Sequence, residues 1–466
     1  MPPSLKATHD RQIAAVETND TPFPGRRTST RGKAAEPVRA KSGLSLLVVF
    51  FLGSLFIPWL WSIGPVIISP FRLILIFSVV PCLFIWAGGK AGGFRFADFM
   101  ILFHGLWCIV ALAAVHGLTT GVQSGGIIFV ETVGAYLLGR CFVRNADQFR
   151  AVVQVLFWAV AIILPFALVE VVTNKNVALS FFSSFFPTHV LAFNEPRWGF
   201  RRVQAVFEHP ILFGVSCGAI LALVHLVLGD RGTAFRRWTR SGVVLLTAFL
   251  SLSGGPMTAM AAQIGLLSWN WLLRNNEKRW LIVWALVAAM YVFISLASNQ
   301  TVPEFYLTYF SFDKGSAYYR ILIWHFGSGS ALNHPLFGVG FNRWDRPMWM
   351  PGSIDMFWLY SAVLFGLPAG FSMMLAFLST VWTIGLKKGL DATRLQYRTA
   401  FLIVMTGYFL VGWTVHFWNA TYVLFLFLLG SGSWLVEVEK PAPARAKRQV
   451  RQPRLAPTTT PQPDPA

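Results

Sequence analysis

Between Val152 and Val172 the chain reads VVQVLFWAVAIILPFALVEVV, and the only charge in that run is Glu170. A helix of about 20 apolar residues crosses roughly 30 Å of hydrocarbon. Runs of this kind recur along most of the 466 residues, and they limit what the chain can fold into. Lipid offers the backbone no water, so a spanning segment is a helix or a strand of a closed barrel. Barrel strands alternate apolar and polar residues with a period of two, an alternation missing here. The fold class is therefore all-α, a polytopic helical membrane bundle. Composition agrees: 13% of residues are charged, against about 25% in a soluble domain.

Twelve spans are expected, at Leu44–Ile63, Phe71–Ala87, Asp98–His116, Gln123–Leu138, Val152–Val172, Ile211–Leu228, Val243–Ser253, Pro256–Leu273, Trp280–Ala297, Ile354–Leu375, Ala400–Val415 and Trp418–Val436. Length alone leaves Val243–Leu273 as one span or two. Arg231, Arg236, Arg237 and Arg240 precede it, and Arg274, Lys278 and Arg279 follow it. Both flanks then belong on the cytoplasmic side, and the chain crosses twice, turning at SLSGGP with Gly254, Gly255 and Pro256 as the break. Residues 1–41 and 440–466 are polar, basic and Pro-containing; they read as disordered cytoplasmic tails around a membrane domain at 42–439. Two long loops, 173–210 and 298–353, are left outside.

The net charge of +19 crowds the tails and short loops, as membrane topology requires, so no nucleic-acid partner is implied. Cys82, Cys108, Cys141 and Cys217 fall in or beside apolar runs without metal-ligand spacing and read as hydrophobic filler. Patterns for a phosphate-binding loop, a zinc peptidase or a serine hydrolase are missing.

External loops should be poor in arginine, yet the first carries Arg197, Arg201 and Arg202 within EPRWGFRRVQAVFEHP. The second carries Arg320, Arg343 and Arg346. Arginine's planar fork suits phosphate and carboxylate, which points to an anionic ligand. The alternative is pairing with Glu195, Glu208, Asp313 and Asp345 or with lipid headgroups. Glu131, inside the fourth span, is costly there unless paired or functional. His209 and His334 each precede proline beside an arginine, whereas His104, His116 and His225 read as packing residues. In NHPLFGVGFNRW (Asn333–Trp344), Gly338 and Gly340 allow a close turn that would bring Arg343 to the anion.

Four stretches occur in order: RRVQAVFEHPILFGVSCGAILAL (Arg201–Leu223), LLTAFLSLSGGPMTAMAAQIGLL (Leu245–Leu267), YYRILIWHFGSGSALNHPLFGVGFNRW (Tyr318–Trp344) and SIDMFWLYSAVLFGLPAG (Ser353–Gly370). Together they resemble the O-antigen ligase and O-antigen polymerase superfamily, which includes exopolysaccharide polymerase-like membrane glycosyltransferases. The resemblance implies a multi-pass protein of a bacterial inner membrane, with both termini cytoplasmic and two large periplasmic loops. It implies a polyprenyl-diphosphate-linked oligosaccharide as donor, no cofactor and no metal. Membrane lipid, a chain-length regulator, a flippase and export proteins are the implied partners.

In this family, arginines of the external loops hold the diphosphate. They correspond here to Arg201 or Arg202 and to Arg320, with Arg343 added from the motif above. Where the ligases show His-Asn this chain has Asp355-Met356, and where they often show Ser-Arg it has Ser253-Gly254. Both departures favour a polymerase-type branch. Asp355 is the leading general base, with His334 and His209 behind it, and Asp355 could equally be a helix cap. Glu208 and Trp344 are the further expected substrate contacts. A ligase moving the glycan onto lipid A core is the nearest alternative. A transporter or flippase of lipid-linked sugars is another, although paired broken helices are not evident.

Overall fold

Helices in this chain begin where the sequence supplies caps. Asn145 accepts from the Gln148 amide at 2.9 Å and Asp391 from the Arg394 amide at 3.2 Å, each satisfying a first-turn donor. Pro70 and Pro210 occupy first-turn positions where no amide is needed. The computed structural model describes residues 43–437 apart from 65, 194, 231 and 310–313. The tails expected at 1–41 and 440–466 lie outside the described residues.

Of the described residues, 70% are helical and 3% are in strands, the make-up of a helical bundle. Helix α1 (Leu46–Ser54) leads into a small antiparallel hairpin, β1 (Trp61–Ile63) and β2 (Val66–Ile68). Helices α2 (Pro70–Ala87), α3 (Phe96–His116), α4 (Leu118–Phe142) and α5 (Ala146–Thr173) follow. Then come the short α6 (Val177–Ser183) and α7 (Pro210–Leu228), α8 (Ala234–Phe249), α9 (Gly254–Leu272), α10 (Arg279–Ala297), α11 (Val302–Tyr309) and α12 (Lys314–Asn333). The last are α13 (Phe357–Phe365), α14 (Leu367–Leu386), α15 (Ala392–Val411) and α16 (Asn419–Val436). Eight of these, α2 to α5, α7, α10, α14 and α16, are long and apolar enough to cross a membrane.

Four expectations change. The first span, Leu44–Ile63, is helical only to Ser54 and then turns into the hairpin, because Pro58 cannot continue the helix. The break in Val243–Leu273 falls at residues 250–253, with Leu252 left-handed at φ 44°. Gly254, Gly255 and Pro256 stand inside the first turn of α9, where proline is tolerated. The tenth span is broken at Gly366 into α13 and α14. Finally, much of the expected loop 298–353 is the helices α11 and α12, and loop 173–210 contains α6.

Buried charge is paired. In α4 a π-helical segment, Val130–Gly134, carries Glu131, whose Oε1 lies 2.7 Å from Arg72 Nε of α2. Asn419 takes a second bond from the same guanidinium at 2.7 Å and donates to Glu208 Oε1 at 3.0 Å. Arg140, buried in α4, reaches Asp98 at 3.4 Å and Glu437 at 2.7 Å. All four cysteines are free and buried.

The stretch NHPLFGVGFNRW closes the broken helix. A helix end leaves its last carbonyls without partners, and in a membrane other protein groups must supply them. Val339 N donates to Val363 O at 3.0 Å and Gly340 N to Leu364 O at 2.9 Å. Trp107 Nε1 serves Phe365 O at 3.0 Å. Across the break, Leu367 N donates to Pro335 O at 2.8 Å. Gly366, at φ 87°, lies so close to this strap that a Cβ would stand 2.0 Å from the Leu336 oxygen. Only glycine fits there.

Candidate functional site

A cavity of about 360 Å³ gathers Arg197, Arg202, His209, Arg320, Asp355 and His416. Each comes from a different local device. Arg197 opens a two-residue hairpin turn: Arg197 and Phe200 exchange both backbone bonds at 2.9 Å. Trp198 and Gly199 between them take φ 52° and 79°, the left-handed pair such a turn needs. Arg197 Nη1 then donates to Leu252 O at 3.2 Å.

Arg202 Nη2 donates to Ser253 Oγ at 2.9 Å, and that hydroxyl donates to Ser251 O at 2.9 Å. Ser253 is the N-cap residue of α9, yet its side chain makes no cap bond. Its hydroxyl is committed to Arg202, and Gly254 and Gly255 at the start of α9 line the cavity. A helix N-terminus presents amide donors and the positive end of the helix dipole, both favourable to an anion.

Arg320, buried on α12, donates through Nε to Thr414 O at 2.7 Å and through Nη1 to Ser316 O at 3.1 Å. Tyr319, beside it on the wall, donates to Pro351 O at 3.0 Å and so ties α12 to the segment that carries Asp355. Asp355 is half-buried. Burial holds its carboxyl above the ordinary range, and the Arg320 charge opposes that shift. It does not cap α13: the N-cap residue is Met356.

His209 is the N-cap of α7, and its Nδ1 accepts from the Ile211 amide at 3.1 Å. In the neutral ring the proton is then on Nε2, a donor to the cavity and not a base. Burial, with Arg202 adding to it, brings this histidine down to about 4. His416 was not singled out from the sequence. It sits in the linker between α15 and α16, stacks on Tyr360 at 3.7 Å and lines the cavity. Its Nδ1 is buried and has no hydrogen-bond partner among the described residues. Burial lowers it to about 3, so the ring is neutral. The signal that could have found it is the polar break TVHFWN between two apolar runs.

The other expected residues lie elsewhere. Arg201 pairs with Glu170 at 3.7 Å and donates to Asn174 O at 2.8 Å. Arg343 is exposed against Met348 Sδ, because the turn at Gly338 and Gly340 serves the broken helix. His334 faces Asp345 at 3.6 Å. Trp344 is packed in the core around α12 and α13, with Nε1 on Gly352 O at 2.9 Å. Glu208 turns away into a small separate cavity with Arg72 and Asn419; burial raises its carboxyl.

Three arginines and a helix N-terminus set against one carboxylate make a strongly anion-attracting chamber. Its volume falls within the usual range of small-molecule sites, about 300–1,000 Å³. A search with protein-family models finds no match to the chain. Comparison with curated proteins finds none either.

Proposed function

We propose that this chain is a membrane glycosyltransferase that polymerises polyprenyl-diphosphate-linked oligosaccharide repeat units at the periplasmic face of a bacterial inner membrane. The observation that carries the reading is the convergence of Arg197, Arg202 and Arg320 with the half-buried Asp355 on one cavity. Diphosphate is a good leaving group, so the site's task is to stabilise the charge that grows as the bond to the sugar breaks. Guanidinium groups and helix amides do this best in a poorly hydrated chamber. An acceptor hydroxyl passes its proton to the Asp355 carboxylate as its oxygen attacks the anomeric carbon. The diphosphate leaves from the opposite face, and the single displacement inverts the sugar.

The same reading carries a topology. Helix α1 together with the extended chain that follows it to the hairpin, and helices α8, α9 and α15, add crossings to the eight apolar spans, the basic tails face the cytoplasm and the cavity opens outside. It needs no metal, as the family resemblance implies.

A ligase is the second reading, and His416 favours it. A neutral imidazole nitrogen with no partner among the described residues, lining the chamber, suits the histidine base expected of ligases. A deletion strain separates the two. Loss of exopolysaccharide with capped lipopolysaccharide intact supports the polymerase; the reverse pattern supports the ligase. A strain making both normally overturns both readings. Complementation with Asp355→Asn is expected to restore neither polymer nor chain extension.

A further inference from the structure

The expected external loop 173–210 contains a segment with the surface chemistry of a membrane anchor. From Asn176 to Phe193 there is no Asp, Glu, Lys or Arg. Its apolar side chains point outward: Phe193 is 97% exposed, Val190 87%, Phe185 60% and Phe181 57%, with Phe186 and Leu191 also exposed. Scattered exposed apolar residues are ordinary, but a contiguous run of this size marks a contact surface.

The backbone beneath is tied to the protein body. Trp59 Nε1 donates to Phe182 O at 3.1 Å, Leu60 N to Pro187 O at 2.8 Å, and Ala192 N to Gln204 Oε1 at 2.9 Å. Asn176 caps α6 and also donates to Ala205 O at 2.8 Å. The aromatic rings are therefore presented on a fixed frame with several of its polar groups already bonded, as contact with lipid requires.

What covers this surface follows from its place in the chain. Helix α5, 28 residues long, rises about 42 Å at 1.5 Å per residue and overreaches roughly 30 Å of hydrocarbon. Its end exposes Val169 and Val172, and only Asn174–Asn176 separate that apolar end from the start of α6. The segment thus begins at the membrane boundary and continues the apolar face of α5. Trp61 of the adjoining hairpin, 5.7 Å from Phe186, adds an aromatic suited to the headgroup level.

We propose that residues 177–193 lie in the phospholipid leaflet next to the cavity, as an interfacial anchor and not as a water-exposed loop. Arg197, on the cavity wall, follows Phe193 by four residues, so the anchor seats the cavity mouth at headgroup depth. Amphiphilic substrates then reach the chamber sideways from the leaflet. The anchor itself does not depend on which reaction the chamber performs.

The test uses the full chain in phospholipid nanodiscs, with Cys82, Cys108, Cys141 and Cys217 replaced by alanine. Single cysteines at Phe185→Cys and Phe193→Cys carry a spin label, with Val172→Cys as the lipid reference and Asn342→Cys as the aqueous one. The labels at 185 and 193 should match Val172→Cys, with oxygen gaining on a water-soluble nickel chelate as a relaxer relative to Asn342→Cys, as burial of about 5–10 Å into the headgroup and acyl boundary requires. Nickel dominance at both sites, as at Asn342→Cys, overturns the proposal. So does a label shielded from both relaxers, which would mean that protein covers the surface. Should either label perturb folding, doxyl-lipid quenching of bimane at Val190→Cys gives the same decision.

Discussion

The guanidinium of Arg320 donates through Nε to the carbonyl of Thr414 at 2.7 Å, joining α12 to the linker that carries His416. One side chain thus fixes the wall of the chamber and contributes charge to it. Arg320→Ala leaves the Thr414 carbonyl without this donor and should lower the melting temperature. Arg320→Lys keeps the charge but loses the fork. Losing one charge-assisted bond costs about 1.5–3 kcal/mol, so polymer formation should fall roughly ten- to a hundredfold. Pyrophosphate should raise the melting temperature of the wild-type protein and not of Arg320→Ala. Equal shifts in both would leave Arg320 as a structural strut alone.

Asp355 gives a pH prediction with a definite sign. Its carboxyl is held above the ordinary range by burial, so the folded protein binds its proton more tightly than the unfolded chain does. Stability from this group is therefore full below the ordinary carboxylate range and declines as pH rises through the raised value. Asp355→Asn removes the ionisable group. It should melt higher than wild type at neutral pH, and the gap should close in acid. Activity runs the other way, since only the ionised form accepts a proton: glycan extension should fade as pH drops through the raised value and be lost in Asp355→Asn. Melting curves and extension assays over one pH series check both signs.

Part of this site was legible in the sequence, for identifiable reasons. Arg202 and Arg320 stood out because positive charge in a segment expected outside opposes the topology rule, and Asp355 drew notice because it stands where the resembling ligases show histidine. Arg343 misled because adjacency to Gly338 and Gly340 carries no information about direction. Those glycines serve the carbonyls of the broken helix, a requirement visible only once Val363 and Leu364 have positions. Arg201 and Arg202 are neighbours with opposite fates, since one faces Glu170 and the next Ser253. His416 was hidden because two spans were drawn up to a two-residue gap around it. Helical class came through because apolar run length is a local property; the broken tenth span did not, because a single glycine in an apolar run reads as tolerated.

That glycine supplies a sharp test of the joint. Gly366→Ala would place a methyl 2.0 Å from the Leu336 carbonyl oxygen at a φ of 87°, and no flexible side chain is there to yield. Monodisperse protein should be lost or strongly reduced in detergent. Gly265→Ala, inside α9 with nothing within 4 Å, is the control. It should be neutral or gain up to about 1 kcal/mol from helix propensity. A Gly366→Ala protein that melts like wild type would contradict the packing described for the strap.

The Arg72–Glu131 pair tests how buried charge is balanced between α2 and α4. Their side chains are 16% and 8% exposed, with Nε and Oε1 2.7 Å apart. Removing one partner strands the other, which costs about 3–5 kcal/mol for a buried pair. Glu131→Leu should therefore be severely destabilising. Arg72→Met should be milder only to the extent that Glu131 can take up a proton. The double variant Arg72→Met/Glu131→Leu removes both charges together and should recover much of the loss, because an apolar pair suits the helix interface. Asn419 and Ile67 O, which also accept from Arg72, keep the recovery short of complete. A double-mutant cycle on thermal stability reads the coupling directly, and a pair in contact should give an interaction energy of about 0.5–3 kcal/mol. Simple additivity of the two losses would mean that the ion pair contributes nothing to holding α2 against α4.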